Sequence, residues 1–508
     1  RAQAWVRGAP GEEQRRGQRG GRTGSSAREL ELSGLASITA GLAAAGLPAL
    51  PRSAWLEIDL DRLAANLAVL RRALPAGTRL DVVLKADAYG HGAVPIGHAL
   101  EAGSGAIDGP RAAGGASPDG LAVATFDEAV ELREAGLRLP ILVLFPVPPQ
   151  HVAEAARRRI AITVSDVVLL DRTLIAIEQA RSSARASGRR HAPHQLELHL
   201  ELETGLGRAG IPPSEAATTA GRIEAAPGVR LAGVWSHLQA PTDRVRTAGQ
   251  AERFALAIAL LGADGVRIPR RHLSASGGLL AGSSPVLEGV RIGLALYGLP
   301  PDDLPAEALQ GSIAAELKPV LSLHARPIRV VDLPAGSGIS YGPSFTTSRP
   351  SQIATLPVGY GDGWSRTGSN RAEALVRGIR VPLVGTVAMD AVMADVTDVP
   401  GPAVTVDDEF VLIGEQAGER ISALDVARAR TTISWEVVTT MARRLPRVYH
   451  AGLVPLSVRT LAGWRVRGSD STLERGYLRP GGRRHRQPGE PQPVDGDGGR
   501  GSDQAGRR

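Results

Sequence analysis

The chain has 508 residues, enough for two or three domains, and a 43% hydrophobic share that can build large cores. It has no cysteine, which excludes disulfides, thiolate metal sites and cysteine nucleophiles. The net charge of +7 sits in the tails: the first 50 residues carry +3 and the last 50 carry +5, leaving −1 between them and no electrostatic footprint for nucleic acid.

Residues 1–52 read as a disordered, low-complexity extension. Arg1 to Arg28 is Gly/Arg-rich. The apolar run Leu35 to Leu50 behind it has a loose likeness to an export signal. No run is long and apolar enough to predict a membrane span. Trp55 to Leu60 alternates and predicts a lead-in strand; Leu63, Leu67 and Leu70 then mark a helical stripe over Asp61 to Leu74. The run Val82-Val83-Leu84 ends on Lys85. Apolar runs recur at Leu121–Ala124, Ile141–Leu144, Ile160–Val164, Leu196–Leu202, Leu231–Trp235, His272–Ala275 and Val290–Gly293. Helical segments separate most of them, among them Asp127–Ala135, Pro213–Ala225 and Gln250–Leu261. Eight strands in β-α alternation predict an α/β fold, a (β/α)8 TIM-type barrel over residues 53–305. The Gly/Ala/Pro-rich residues 103–120 read as an inserted surface loop.

From residue 306 the rhythm changes. Leu321–Val331, Ile353–Val358, Val381–Val384, Val392–Val396 and Glu409–Ile413 are short strand signals between Gly and Pro turns. A helical stretch follows over Ala423–Arg444. Residues 306–458 therefore read as a mostly antiparallel β domain, and 459–508 as a disordered basic tail.

Lysine is scarce. Only Lys85 and Lys318 occur among 59 basic residues. Neither lies in a Walker context, which excludes a P-loop. Arginine serves for surface charge, but its guanidinium cannot form an imine with an aldehyde. A lysine kept at the carboxyl end of a strand therefore points to an amine used in covalent chemistry. Barrel enzymes place reactive groups at those ends and often bind phosphate after strands 7 and 8. Here the ends carry Lys85 and Tyr89, Glu201 and Arg208, His237, Ser276-Gly277-Gly278, and Arg291 with Gly293. A lysine facing a phosphate cradle fits pyridoxal 5′-phosphate.

Five motifs then carry a resemblance: Val-Leu-Lys-Ala-Asp-Ala-Tyr-Gly-His-Gly, Arg-Ile-Gly-Leu-Ala-Leu-Tyr-Gly, Ser-Tyr-Gly-Pro-Ser-Phe, Gly-Tyr-Gly-Asp-Gly and Val-Ala-Met-Asp. From about Trp55 to Tyr449 the chain resembles the alanine racemases, fold-type III pyridoxal-phosphate enzymes. The resemblance implies that Lys85 bears the cofactor through its amine and moves the α-proton on one face of the substrate. Tyr341 would act on the opposite face. Arg291 would face the pyridine nitrogen, with His237 beside it. Tyr89, Ser276 and the backbone of Gly293 and Leu294 would hold the phosphate, with Trp435 at the position of a further phosphate contact. Arg208 would pair the substrate carboxylate, helped by the Met389 backbone and Glu201, with Tyr360 in the substrate pocket. In the family, the residues at the Tyr341 and Met389 positions reach a second subunit's barrel, which implies a homodimer with shared active sites. The implied activity is interconversion of L- and D-alanine in the cytoplasm, supplying D-alanine for peptidoglycan, with no nucleic-acid, membrane or metal partner.

The chain departs from the family pattern at several positions. Glu201 stands where many relatives carry a carbamylated lysine, Glu203 for an Asp, Ala275 for an Asn, Thr386 for an Arg and Trp435 for a Tyr. These keep two alternatives open: a racemase for serine or for a broader set of amino acids, and a cofactor-binding paralogue of low activity. A decarboxylase on the same fold would need a second-domain cysteine, which is absent. A non-catalytic cofactor-binding barrel would lack the β domain and Tyr341.

Overall fold

The computed structural model describes residues 37–103, 116–187, 194–305, 309 and 312–468. The first strand, β1, spans Ala54–Asp59. Eight strands then run parallel: β2 (Arg79–Val83), β3 (Gly120–Val123), β4 (Ile141–Val143), β5 (Ile160–Val164), β6 (Leu196–Glu201), β7 (Val229–Trp235), β8 (Arg271–His272) and β9 (Gly289–Ile292). They pair in sequence from β2 to β8, and β2 also pairs β9. A parallel bridge from Ala275 to Arg291 joins the two ends, so the barrel is nearly closed. Every residue of β3, β4 and β5 is buried. Helices cover the outside and side chains fill the inside, which is why these strands read as continuous apolar runs. All eight match the strands expected from the sequence.

The second sheet has twelve strands. Besides β1 it contains β10 (Leu321–Ala325), β11 (Arg329–Leu333), β12 (Ser351–Leu356), β13 (Glu373–Val376), β14 (Ile379–Val384), β15 (Val392–Asp395), β16 (Phe410–Gln416), β17 (Glu419–Ile421), β18 (Arg447–Ala451), β19 (Val454–Thr460) and β20 (Gly463–Val466). All its pairings are antiparallel except β1 with β18. One main core runs through both barrel and sheet.

Four expectations need correction. The sequence puts β1 with the barrel, but it lies in the second sheet between β10 and β18, with Ile58 opposite both Leu321 and Tyr449. Alternation reports a strand but not its partner, and pairing is a non-local property. The expected strand Leu321–Val331 is two strands broken around Pro327, which has no N–H to give a ladder. The helix over Ala423–Arg444 is two short ones, Ala423–Arg430 and Ser434–Thr439, separated where Thr431 turns to φ 58°. The outer boundaries also move. Ser37–Ala44 is a helix, and Leu42 and Leu47 pack with Trp55, Val448 and Val458. At the other end β19 and β20 extend the sheet past residue 458 and bury Trp464. Arg1 to Arg28, most of the expected loop 103–120 and the chain after Gly468 lie outside the described residues. Among the described residues no helix is long and apolar enough to cross a membrane.

The helix Leu60–Arg72 shows how local rules fasten the seam between the two parts. Asp59 caps it by accepting from the Arg62 N–H at 2.9 Å. Leu63, Leu67 and Leu70 are buried as their spacing requires, each contributing roughly 1.5–3 kcal/mol. On the same seam His324 stacks on Trp55 and meets Glu409 at 2.8 Å. Burial alone would lower the His324 pKa, but the Glu57 and Glu409 carboxylates outweigh it and raise it. A raised folded pKa gives stability that is complete below about 6.5 and lost as pH rises through the folded value. His324→Gln is expected to remove that loss. The wild-type minus variant difference in urea unfolding free energy should shrink from pH 6 to pH 9, and a constant difference would contradict the pairing.

Candidate active site

β2 ends at Val83, and the Leu84 N–H donates to the Ala122 carbonyl at 2.8 Å. Lys85 follows and opens a single turn, Lys85–Tyr89. Ala86, Asp87, Ala88 and Tyr89 all have φ between 53° and 55°, so the turn is left-handed. No glycine relieves it until Gly90, and such residues cost roughly 1–2 kcal/mol each. Local bonds oppose the strain. Glu128 accepts from the Ala86 N–H at 2.6 Å, and the His91 Nδ1 lies 3.0 Å from the carbonyls of both Ala88 and Tyr89. The turn aims Lys85 into the barrel mouth half-buried. Burial lowers its pKa first, the Arg208 and Arg291 charges lower it further, and Glu128 opposes them. The amine is thus moved toward its neutral, nucleophilic form.

Tyr89 ends the same turn. Its hydroxyl lies against Gly293, where a Cβ would stand 2.5 Å from the oxygen, so only glycine fits. Burial raises the Tyr89 pKa and keeps the phenol protonated as a donor. The Ser276 Oγ accepts from the Gly293 N–H at 3.0 Å and lies 3.4 Å from the Ala295 N–H. Tyr89, Ser276, Gly293 and buried Leu294 thereby converge on one polar spot beyond β8 and β9.

Arg291 is buried in the barrel wall over the Trp235 ring, 4.6 Å from its centroid. It donates to the His272 Nδ1 and carbonyl at 2.8 Å each and to the Ser236 carbonyl at 2.7 Å. Burial lowers its pKa to about 10, so it stays a cation at neutral pH. The His237 Nδ1 lies 3.4 Å from Arg291. Burial and the charges of Arg291, Arg208 and Lys85 lower its pKa to about 3, which leaves a neutral imidazole. Arg208 projects from a loop pinned by Glu203, whose carboxylate accepts from the N–H groups of Gly205, Leu206 and Gly207. Its Nη2 lies 3.4 Å from the buried Glu201 Oε1. Burial raises the Glu201 pKa and Arg208 draws it back.

Lys85, Arg208, Glu201, His237 and Arg291 therefore interact within one barrel mouth, beside the Tyr89–Ser276–Gly293 spot. The β-domain candidates are instead exposed. Tyr341 is 75% exposed, Met389 53% and Tyr360 44%, so one chain leaves all three on its surface. They share a neighbourhood: the Gly361 N–H donates to the Met389 carbonyl at 2.9 Å, the Tyr360 N–H to that of Ala388 at 3.0 Å, and the Ser340 hydroxyl to that of Thr386 at 2.6 Å. Thr386 is buried, with its hydroxyl 3.2 Å from Ser344. Trp435 is half-buried on the helix Ser434–Thr439, which packs on the Lys85 turn.

Three residues of the second sheet, Arg447, Tyr449 and Arg459, grip this turn, Arg459 through the turn's own Asp87; none is marked as a site residue by the sequence. Arg459 fell in the stretch assigned to a basic tail. The alternation of Val454 to Thr460 was the signal that marks it as part of a strand.

An amine pushed toward neutrality at a strand end, with the buried Arg291 cation near it and the Tyr89–Ser276–Gly293 spot beside it, marks this barrel mouth as the candidate active site. Comparison with known proteins supplies the class. The alanine racemase N-terminal domain matches residues 58–301 and the alanine racemase C-terminal domain matches 320–449. The chain is 38% identical over 402 residues to the alanine racemase of Syntrophobacter fumaroxidans, covering 78% of this chain and 98% of that one. It is 39% identical over 401 residues to that of Symbiobacterium thermophilum, covering 78% and 97%. Among solved structures, the Bacillus anthracis alanine racemase with bound L-Ala-P aligns with a TM-score of 0.71 at 32% identity, covering 81% of this chain and 98% of that one. The chain belongs to the alanine racemase family.

Proposed function

We propose that the protein interconverts L- and D-alanine, using pyridoxal 5′-phosphate held at the barrel mouth. The observation that carries this reading is the Lys85 amine, aimed into the mouth by a strained turn and pushed toward neutrality between Arg208 and Arg291. The residues present fit the cofactor. Gly293 leaves room that a Cβ would fill, and Tyr89 offers a protonated hydroxyl beside it for the phosphate, together with Ser276 and the Gly293 and Leu294 backbone. Trp435, on the helix that packs on this turn, is the family-position candidate for a further phosphate contact. When bound, the cofactor supplies an aldehyde for the amine and a ring that withdraws electrons from the substrate α-carbon. Arg291 remains a donor cation and has no proton to yield readily to the ring nitrogen. His237 stays neutral beside it.

Arg208 pairs the substrate carboxylate and Glu201 holds Arg208 in place. A fixed carboxylate at position 201 gives the charge without any modification. Glu201→Gln is expected to raise KM for alanine about tenfold with kcat little changed, since Arg208 is partly solvent-screened. An unchanged KM would contradict this role.

Inverting the α-carbon needs proton donors on both of its faces. Lys85 serves one face, and Tyr341 of the partner subunit serves the other, with Met389 and Tyr360 completing the pocket. The exposure of these three β-domain residues in the single chain supports a homodimer with shared sites. The product supplies D-alanine for peptidoglycan in the cytoplasm. A second reading, serine or a broader set of substrates, rests on the sequence departures at Trp435 and Thr386, which could reshape the pocket. A turnover panel across the amino acids decides: alanine should show the highest kcat/KM, and a panel led by serine or a larger residue would establish the second reading.

A further inference from the structure

The Lys85 turn is held from outside the barrel. The Asp87 carboxylate receives the Arg459 Nη1 at 2.8 Å on each oxygen and also accepts from the Ala93 N–H at 2.8 Å. Both side chains are largely buried, 12% and 16% exposed. Arg443 approaches Asp87 at 3.5 Å but is half exposed and also faces Glu131. Arg447 is buried, and its guanidinium is spent on carbonyls: Gly90 at 2.8 Å, Leu445 and Met441 at 2.9 Å, Ala442 at 3.2 Å. The Tyr449 hydroxyl donates to the His91 carbonyl at 2.9 Å. Gly92 packs against the Tyr449 hydroxyl and Arg459, leaving no room for a Cβ. Arg447 and Tyr449 lie on β18 and Arg459 on β19, so the grip comes from the second sheet.

We propose that the Asp87–Arg459 ion pair is a positioning device that keeps the left-handed turn from relaxing, and so fixes both the Lys85 amine and the Tyr89 hydroxyl of its own barrel. The turn connects the two groups directly: Lys85 is its first residue and Tyr89 its last. Relaxation at Ala86–Tyr89 toward ordinary right-handed angles would displace both ends together. Arg459 comes from the second sheet, and the charges that act on Lys85 are those of Arg208, Glu128 and Arg291 and not of this pair. Its role is therefore on geometry and not on the reacting atoms. In this arrangement each β domain has two tasks: β18 and β19 brace the amine of the same chain, while the exposed Tyr341 face is left for a partner.

This inference rests on Lys85 being the cofactor-bearing amine, and the test separates the two. On the full chain with pyridoxal 5′-phosphate, Arg459→Met is compared with wild type and Arg459→Lys. Amide hydrogen exchange over residues 86–92 should rise at least tenfold in Arg459→Met, with exchange in β3–β7 unchanged. The imine absorbance at fixed cofactor concentration should fall several-fold, and kcat about tenfold with KM within twofold. Arg459→Lys should recover most of each signal. Asp87→Asn, which keeps an oxygen for the Ala93 N–H, should repeat the loss if Arg459→Met proves unstable. Unchanged exchange over 86–92 in both Arg459→Met and Asp87→Asn overturns the positioning role whatever the cofactor does. A wild-type protein without imine absorbance overturns the reading of Lys85 and leaves the exchange result standing on its own.

Discussion

Lys85→Ala is expected to remove the imine absorbance and to lower kcat by at least ~10^4-fold, because a covalent anchor and a proton carrier are lost together. No other side chain can take its place. Lys318 is the only other lysine; it is exposed, and its backbone is tied by Asn66, which donates to its carbonyl at 2.8 Å and accepts from its N–H at 2.9 Å. The neighbouring cations Arg208 and Arg291 cannot form the imine. An intact imine band in Lys85→Ala would place the cofactor elsewhere.

Tyr341→Phe is expected to cut racemisation by about 10^2–10^4-fold, the usual weight of a positioned acid or base, while leaving the imine band intact. The loss should be one-sided. In deuterated water the enantiomer whose α-proton faces Lys85 should still exchange, and the other should not. Equal loss of exchange for both enantiomers would contradict a tyrosine dedicated to one face. Its 75% exposure in one chain carries a further consequence. A 1:1 reassortment of Lys85→Ala and Tyr341→Phe subunits should recover about a quarter of wild-type activity, since half the dimers are mixed and one of their two sites draws both intact groups. No recovery after verified subunit mixing would place Tyr341 and Lys85 of each site on the same chain.

The barrel was legible because its strands are covered on both faces. Runs such as Ile160–Val164 have no polar positions to blur them, and all five residues are buried. The amine was legible because lysine is rare in a chain that uses arginine elsewhere. What stayed hidden was non-local or broke a local rule. β1 alternates like a lead-in strand, yet its partners are more than 260 residues away at Leu321 and Tyr449. Left-handed backbone is ordinarily announced by glycine, but here Ala86-Asp87-Ala88-Tyr89 adopts it and only Gly90 conforms. Arg459 was masked by the arginine-rich composition around it, so a residue buried against Asp87 looked like one more tail charge. The departures at Glu201, Thr386 and Trp435 were visible in the sequence. Their settings are different: Glu201 is buried against Arg208, Thr386 is buried against Ser344, and Trp435 is half-buried on the helix that packs on the Lys85 turn.

The most direct measurement follows the circular dichroism of L-alanine incubated in deuterated water with the purified protein and pyridoxal 5′-phosphate. The signal should decay to zero, and both enantiomers recovered at the end should carry deuterium at the α-carbon. A signal that persists while the cofactor imine is present would contradict the assignment of this site as an alanine racemase.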